Sequence, residues 1–380
     1  MRLTVAENKV KVLIVGGFPT AKDRKVYGGQ VEVCQRLITS SFIERHVVYT
    51  IDTTQISNPP PAFVVRLLLS VKRFSRFLSA IIFRRPDTVI IFMGDGASAI
   101  EKGVMARIAQ AFGVPAMVFP RAGGLIRRYE SNGWFAAFIR ATLGRSHMFL
   151  CQGLSFQRFA TEQLGFSIES SPIIPNWTAS EKHLRIGAGR DFGKQVEIPK
   201  ILFIGWLEEF KGVFELLKAA QILRSEGLEF HLVFGGDGKA LPKAQQFAEM
   251  HDLLSHVTFS GWLDQTAKAE LLQNCHIFAL PSWSEGLPNA MIEAMSAGLA
   301  CVVSEVGAIP DYAVDGHTAL MVERKNVLSL AAALRTMICN QELRDRIAKQ
   351  GFELANSRFT LENGIELLSA AVERTCGGQR

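Results

Sequence analysis

Short, wholly apolar runs alternate with helix-length segments along most of this chain, and that alternation leaves few folds open. A run such as Lys11-Val12-Leu13-Ile14-Val15-Gly16 has no polar side, so both of its faces must be covered. Strands joined through helices run parallel, because the connecting helix returns the chain to the same end of the sheet. Further runs of this kind occupy residues 46–51, 87–93, 115–119 and 148–151, with a helical pattern from about 29 to 43. Residues 178–200 are polar, carry Gly187, Gly189 and Gly193, and hold few large apolar residues. The alternation then restarts, with strands at 200–204, 229–234, 256–260, 276–280, 299–304 and 319–322. Helical patterns fill 213–225, 240–254, 265–272, 288–297 and 327–338, and 341–376 is helical throughout. The reading is α/β: two parallel sheets of similar size in series, each binding ligands outside the carboxyl ends of its strands. The boundaries it gives are 1–180 for a first domain, 181–199 for a linker and 200–356 for a second domain. Residues 357–380 form a C-terminal helix free to pack back on the first domain.

Composition narrows the class further. At 48% hydrophobic and 21% charged over 380 residues, the chain can bury sizeable cores, which excludes a disordered or fibrous protein. Forty-two Lys and Arg against 36 Asp and Glu leave +6, short of the concentrated charge of a nucleic acid binder. The opening MRLTVAENKV has no apolar core of a signal peptide, and no run of about 18 apolar residues follows, so a cytoplasmic protein is expected. The six cysteines (Cys34, Cys151, Cys275, Cys301, Cys339 and Cys376) form no C-x-x-C pair and read as small core residues. The eight histidines show no metal-ligand spacing and no two aspartates stand at i and i+2, so neither a metal nor a cofactor is expected.

Chemistry-bearing residues concentrate between 281 and 298, after the 276–280 strand. Pro288 suits the first turn of a helix and Gly298 its end. Glu285 precedes this helix and Glu293 lies in its second turn, so one strand–loop–helix unit presents two carboxylates able to accept hydrogen bonds from hydroxyls. The plainer alternative makes Glu285 a partner of the helix dipole and Glu293 a solvated surface residue. Upstream, Gly205-Trp206-Leu207-Glu208-Glu209-Phe210-Lys211-Gly212 sets a lysine at a helix mouth, where the dipole disfavours it and a diphosphate would compensate it. Taken alone, Lys211 is an ordinary exposed lysine. Tyr27-Gly28-Gly29-Gln30 opens the first helix with glycines that let a backbone approach a phosphate, or simply turn the chain. Phe234-Gly235-Gly236-Asp237-Gly238 is not a complete G-x-G-x-x-G and reads as a tight turn.

Together these residues resemble the retaining nucleotide-sugar glycosyltransferases of the GT-B fold, glycosyltransferase family four (glycosyl transferases group 1). The resemblance rests on Gly28-Gly29, Gly205-x-Leu207 with Lys211-Gly212, Gly235-Gly236-Asp237-Gly238 and Val257-x-Phe259-x-Gly261. Pro281-Ser282-x-x-Glu285-Gly286-x-Pro288 with Glu293, and Val306-Gly307-x-Ile309-Pro310-Asp311, complete it. It covers 200–325 nearly throughout and the first half mainly at its glycine loop. It implies two Rossmann-like parallel-sheet domains facing a central cleft. By the resemblance, Glu293 binds the donor ribose, Glu285 and the backbone of Gly286, Leu287 and Pro288 hold the donor sugar, and Lys211 contacts the diphosphate. Gly28 and Gly29 approach that diphosphate from the other domain, Gly205 shapes the loop, and the base rests near Val257 to Gly261. The implied activity is metal-independent hexosyl transfer with retention, from a nucleotide sugar to a glycan or glycolipid acceptor in cell-surface glycan assembly.

Two departures stand out. Trp206 occupies the place where that family usually has arginine, and Phe119-Pro120-Arg121-Ala122-Gly123-Gly124 fills the region of its usual histidine. Arg121 is the candidate to restore the missing charge. Loss of both groups would instead fit a non-catalytic partner subunit, and a hydrolase or epimerase of nucleotide sugars would share the same fold. Finally, residues 63–85 read as a helix with Arg66, Lys72, Arg73 and Arg76 on about a third of its circumference and apolar residues on the rest. Such a helix either lies on the anionic inner face of a membrane or covers its own sheet with the basic stripe facing water. Arg121, Arg127, Arg128, Arg140 and Arg145 enlarge the basic character of the same half.

Overall fold

The computed structural model describes residues 9–19, 28–55 and 61–377; Tyr27 and the opening eight residues lie outside them. The chain divides into two compact units, residues 1–176 with 361–380, and residues 177–360. Each is a parallel sheet flanked by helices, as the alternation predicts.

In the first unit, β1 (Lys11–Gly16), β2 (Val47–Asp52), β3 (Thr88–Met93), β4 (Ala116–Pro120) and β5 (Met148–Phe149) lie in the order β2-β1-β3-β4-β5. Every pairing is parallel, with Val12 opposite both Val48 and Thr88. The interior of β1, all of β3 and all of β4 are buried, which is why they carry no polar face. The helices are α1 (Gly29–Ile38), α2 (Phe42–Arg45), α3 (Phe63–Ser79), α4 (Ala97–Ala111), α5 (Gly124–Ser131), α6 (Gly133–Thr142) and α7 (Leu154–Arg158).

Helix α3, continued by a wider turn over Ala80–Arg84, is turned the opposite way from a sheet-covering helix. Arg73 points inward and forms a two-pronged ion pair with Glu101 of α4, its Nε 2.6 Å from Oε1. One and two turns on, Phe77 and Ile81 are the only buried members. Val64, Leu67, Leu68 and Val71 face outward, Leu68 at 64% exposure. The plainer expectation is therefore corrected in its apolar half: Val64, Leu67, Leu68 and Val71 look outward and Arg73 turns in, while Arg66, Lys72 and Arg76 are exposed as that expectation had them. An Arg–carboxylate fork and two large anchors orient the helix more strongly than its remaining aliphatic residues.

The second unit holds β6 (Lys200–Ile204), β7 (His231–Gly235), β8 (Val257–Gly261), β9 (Ile277–Leu280), β10 (Ala300–Ser304) and β11 (Leu320–Val322) in the order β11-β10-β9-β6-β7-β8. All pairings are again parallel. Its helices are α8 (Glu181–Ala188), α9 (Val213–Ser225), α10 (Leu241–Met250), α11 (Gln265–Asn274), α12 (Asn289–Ser296), α13 (Val327–Cys339) and α14 (Gln341–Arg358). Residues 181–199, read as a linker, begin instead with α8. That helix is capped by Ser180 and buries His183 and Gly187 within the second unit. Its polar surface concealed a helix only two turns long.

The long helical stretch at the end breaks at Phe359 and Thr360 into α14 and α15 (Leu361–Gly377). Helix α15 belongs to the first unit, where Ser369 meets His46 at 3.2 Å and Thr375 lies 3.2 Å from the Met117 sulfur. Cys34, Cys151, Cys275 and Cys301 are buried as expected. Cys339, at the outer end of α13, is exposed and Cys376 half-buried, so those two are not core residues.

Candidate functional site

Strand order reverses in the second sheet between β6 and β9, so the loops leaving their carboxyl ends depart to opposite sides and open a crevice there. Those two loops carry Gly205–Lys211 and Pro281–Pro288. They are tied together where the Trp283 N–H donates to the Phe210 carbonyl at 2.7 Å. Gly212, at φ 76°, lies where a Cβ would sit on the Pro281 carbonyl oxygen, so this approach needs glycine. Lys211 closes the short turn before α9, and its Nζ donates to Glu285 Oε1 at 2.6 Å. With side chains 19% and 9% exposed, the pair is largely withdrawn from water. Lys211 is thus not a plain exposed lysine. The cation that the α9 dipole disfavours is held by a carboxylate from the neighbouring loop.

Glu293 is not a solvated surface residue either. It is buried on α12, its side chain 3% exposed, and Lys268 Nζ of α11 donates to its Oε1 at 3.0 Å. Each carboxylate of the E-x7-E segment therefore faces a lysine from a different element. Buried charges persist only when paired and hydrogen-bonded, so both pairs mark a region built to hold polar ligands or polar structure.

Around them, Pro288 caps α12 rather than entering its first turn, and Gly286, Leu287 and Pro288 are all buried. The Gly286 carbonyl accepts from Ala308 N–H at 2.9 Å. Gly307, at φ 61°, lies where a Cβ would meet the Glu285 carbonyl oxygen, so this approach too needs glycine. Gly205 donates its N–H to Gly235 at 3.0 Å, and Gly236 donates to the Gly261 carbonyl at 2.8 Å, stitching β6, β7 and β8 at the same edge. Val257 is buried at the far, amino end of β8, whereas Gly261 closes its carboxyl end at φ 66°. Beyond Gly261, Trp262 meets Trp206 with ring centroids 5.3 Å apart, so the residue standing in place of arginine belongs to an aromatic pair. Trp283 donates from its ring to Glu215 at 3.1 Å, and Lys325 lies 3.9 Å over its face.

The remaining candidates lie in the first unit, whose own order reverses between β1 and β3. Gly28 caps α1 in an extended conformation and Gly29 opens it, exposed. Arg121 leaves β4 with its guanidinium 4.7 Å over the Phe119 ring and 5.7 Å from that of Phe92. Burial lowers its pKa to about 10, opposed by the nearby Cys34, whose thiol burial pushes up to about 12. Among the described residues no group of three or more His, Cys, Asp or Glu is placed to hold a metal ion.

The structure thus brings together Gly205, Trp206, Lys211, Glu285, Gly286, Leu287, Pro288, Glu293 and Gly261 at one sheet edge. It leaves Val257 at the opposite end of its strand, and Gly28, Gly29 and Arg121 in the other unit. Lys268, Glu215 and Trp262 escaped the sequence reading, and Trp283 was given no role although it lies in the 281–298 segment. Trp262, next to Gly261, and Trp283 carried a local signal; Lys268 acquires its meaning from a helix 25 residues away.

Residues 190–354 match the family model described as glycosyl transferases group 1. Among curated proteins, the chain is 29% identical over 182 residues to the N,N'-diacetylbacillosaminyl-diphospho-undecaprenol alpha-1,3-N-acetylgalactosaminyltransferase of Campylobacter jejuni, covering 48% of this chain and 46% of that protein. The chain spans about half the length of the curated relatives it matches. Among solved structures, sucrose-phosphate synthase from Thermosynechococcus elongatus superposes with a TM-score of 0.76 at 14% identity, covering 97% of this chain and all of that one. HepE from Anabaena, determined with UDP-glucose, gives 0.69 at 15% identity over 96% of this chain and 99% of its own. The fold is therefore GT-B, two Rossmann-like parallel-sheet domains.

Proposed function

We propose, from the glycosyl transferases group 1 domain at residues 190–354, that this chain moves a sugar from a nucleotide diphosphate donor to a glycan or lipid-linked acceptor. We further propose that the anomeric configuration is retained and no resident metal takes part. The observation carrying this reading is the pairing of Lys211 with Glu285, and of Lys268 with Glu293, at the crevice between β6 and β9. A lysine has three donors, so Lys211 can keep Glu285 while turning its remaining N–H groups to the diphosphate. As the bond from the sugar C1 to the phosphate oxygen breaks, Lys211 offsets the growing negative charge. The acceptor hydroxyl bonds to C1 on the same face, and its proton passes to the departing phosphate oxygen. Glu285 holds the sugar hydroxyls, Glu293 the ribose, and the Trp206–Trp262 pair beside Gly261 offers a flat apolar face to the base.

A thermal-shift panel of UDP, GDP, ADP and their sugar conjugates, with magnesium or with EDTA, tests the donor site. One nucleotide at about 100 times its Kd should add about 2.7 kcal/mol, with EDTA present. No response to any of them sinks the donor site and favours a non-catalytic partner subunit, the reading that Trp206 supports. Turnover by Lys211→Ala or Glu285→Ala should fall roughly 100-fold or more with the fold intact. Donor consumption without an acceptor would identify a hydrolase or epimerase instead.

The acceptor face is assigned to α3. Its outward Val64, Leu67, Leu68 and Val71 are bordered by exposed Lys72 and Arg76, a combination suited to an anionic lipid surface. No described helix is long and apolar enough to cross a membrane. Co-sedimentation with phosphatidylglycerol vesicles should be lost in Val64→Asp/Leu68→Asp; equal retention of that variant refutes the assignment.

A further inference from the structure

A cavity of about 930 Å³ opens in the second unit at the amino ends of β6, β9 and β10, the sheet edge opposite Lys211 and Glu285. Its wall comprises α8, the strand-free segment 189–196, the residues preceding β9 and β10, and the start of α14. Five cationic side chains, Lys182, Arg185, Arg190, Lys194 and Arg344, face three carboxylates. One of those, Glu181, is already engaged by Arg185 at 2.8 Å. The Asp191 carboxylate accepts from the Gly193 N–H at 3.1 Å, and Asp345, raised by burial, takes up a proton more readily than an ordinary aspartate. The cavity therefore carries a positive excess.

Two groups make it more than a basic surface. Arg344 is 2% exposed; its Nη1 donates to the Met337 carbonyl at 2.9 Å, while Nη2 has no hydrogen-bond partner among the described residues. The adjacent Asp345 carboxylate acts on this guanidinium electrostatically but makes no hydrogen bond to Nη2, so a buried donor stays unmet and a further anion would lower its cost. His276 is the second. Its Nδ1 accepts from the Lys200 N–H at 3.1 Å, which assigns the proton to Nε2 and makes that nitrogen a donor. Burial, reinforced by Arg190, Arg344 and Lys200, keeps the ring neutral, with its pKa lowered to about 4.

We infer that this cavity is a second ligand site, separate from the crevice at β6 and β9, and that it takes a phosphate-type dianion held between Arg344, His276 and Lys194. Arg190, on the same wall, donates to the Ala297 and Leu272 carbonyls just past α12 and within α11. The site thus adjoins the ends of the two helices that carry Glu293 and Lys268.

The test is calorimetric titration of inorganic phosphate into the whole chain, with the His276 ring signals followed by NMR. Saturable binding should move those signals. It should weaken roughly tenfold or more in Lys194→Glu, an exposed position that leaves the core untouched. Arg344→Met, if it folds, should abolish binding, and Lys211→Ala should leave it unchanged. Three results would overturn the inference: no saturable binding, binding that leaves the His276 signals still, or binding lost in Lys211→Ala while Lys194→Glu matches the wild type. The last would assign the phosphate to the opposite edge.

Discussion

Replacing Lys268 by methionine removes one partner of a buried ion pair and leaves the other in place. The aliphatic stem of lysine is largely preserved by methionine, so packing between α11 and α12 changes little, whereas Glu293 keeps a charge that 3% exposure denies to water. Breaking such a pair from one side costs about 3–5 kcal/mol. For a unit the size of residues 177–360, that corresponds to a loss of roughly 6–20 °C in melting temperature. Adding Glu293→Gln removes the buried charge itself, so the double variant should regain more than half of the loss. Thermal unfolding followed by circular dichroism at neutral pH, on wild type, both single variants and the double, supplies the full cycle. Lys268→Met within about 1 kcal/mol of wild type, or a double variant no more stable than Lys268→Met, would refute the reasoning, because the carboxylate would then be solvated or already neutral.

Three further outcomes follow from the same geometry. Trp262→Ala should weaken binding of the stabilising nucleotide by about 1–3 kcal/mol, as loss of base stacking does elsewhere, and an unchanged Kd would remove the aromatic pair from the site. Gly307→Ala places a Cβ against the Glu285 carbonyl at φ 61°, so it should cost at least about 1–2 kcal/mol for the left-handed backbone. It should also reduce turnover by displacing the Glu285 loop, and a crystal structure with that loop unmoved would contradict this. The His276 pKa is depressed to about 4 from 6.5, so between these values the unfolded chain binds the extra proton. Stability due to His276 is therefore full above pH 6.5 and drains away as pH falls toward 4, by at most about 3 kcal/mol. Denaturation at a series of pH values should show a shallower acid slope in His276→Gln; an identical slope would rule His276 out.

Much of this architecture could be read before any coordinates. Apolar runs such as 11–16 and 200–204, each led by one exposed lysine, coincide with β1 and β6, since the part of a strand buried on both faces has no polar position to disguise it. The other strands shift by a residue or two at their ends, where side chains no longer discriminate. Glu285, Lys211 and the glycines were legible as well, because close backbone approach and a lysine at a helix mouth leave local marks. Helix α8 was missed, since two turns with only His183 and Gly187 buried carry too little periodicity.

What the sequence determined by itself is the class: parallel sheets in series and a strand–loop–helix unit that carries two carboxylates. Those properties follow from local patterns of apolarity, glycine and charge. Tertiary structure alone decided the partners. Lys211 meets Glu285 across 74 positions and Lys268 meets Glu293 across 25, because strand order reverses between β6 and β9 and helices pack beside that reversal. The outward turn of α3 is of the same kind: its apolar and basic stripes were visible, but that Arg73 turned inward while the apolar residues faced out depended on Glu101, a residue of another helix. Such pairings join residues whose separation along the chain carries no period, so no local pattern records them.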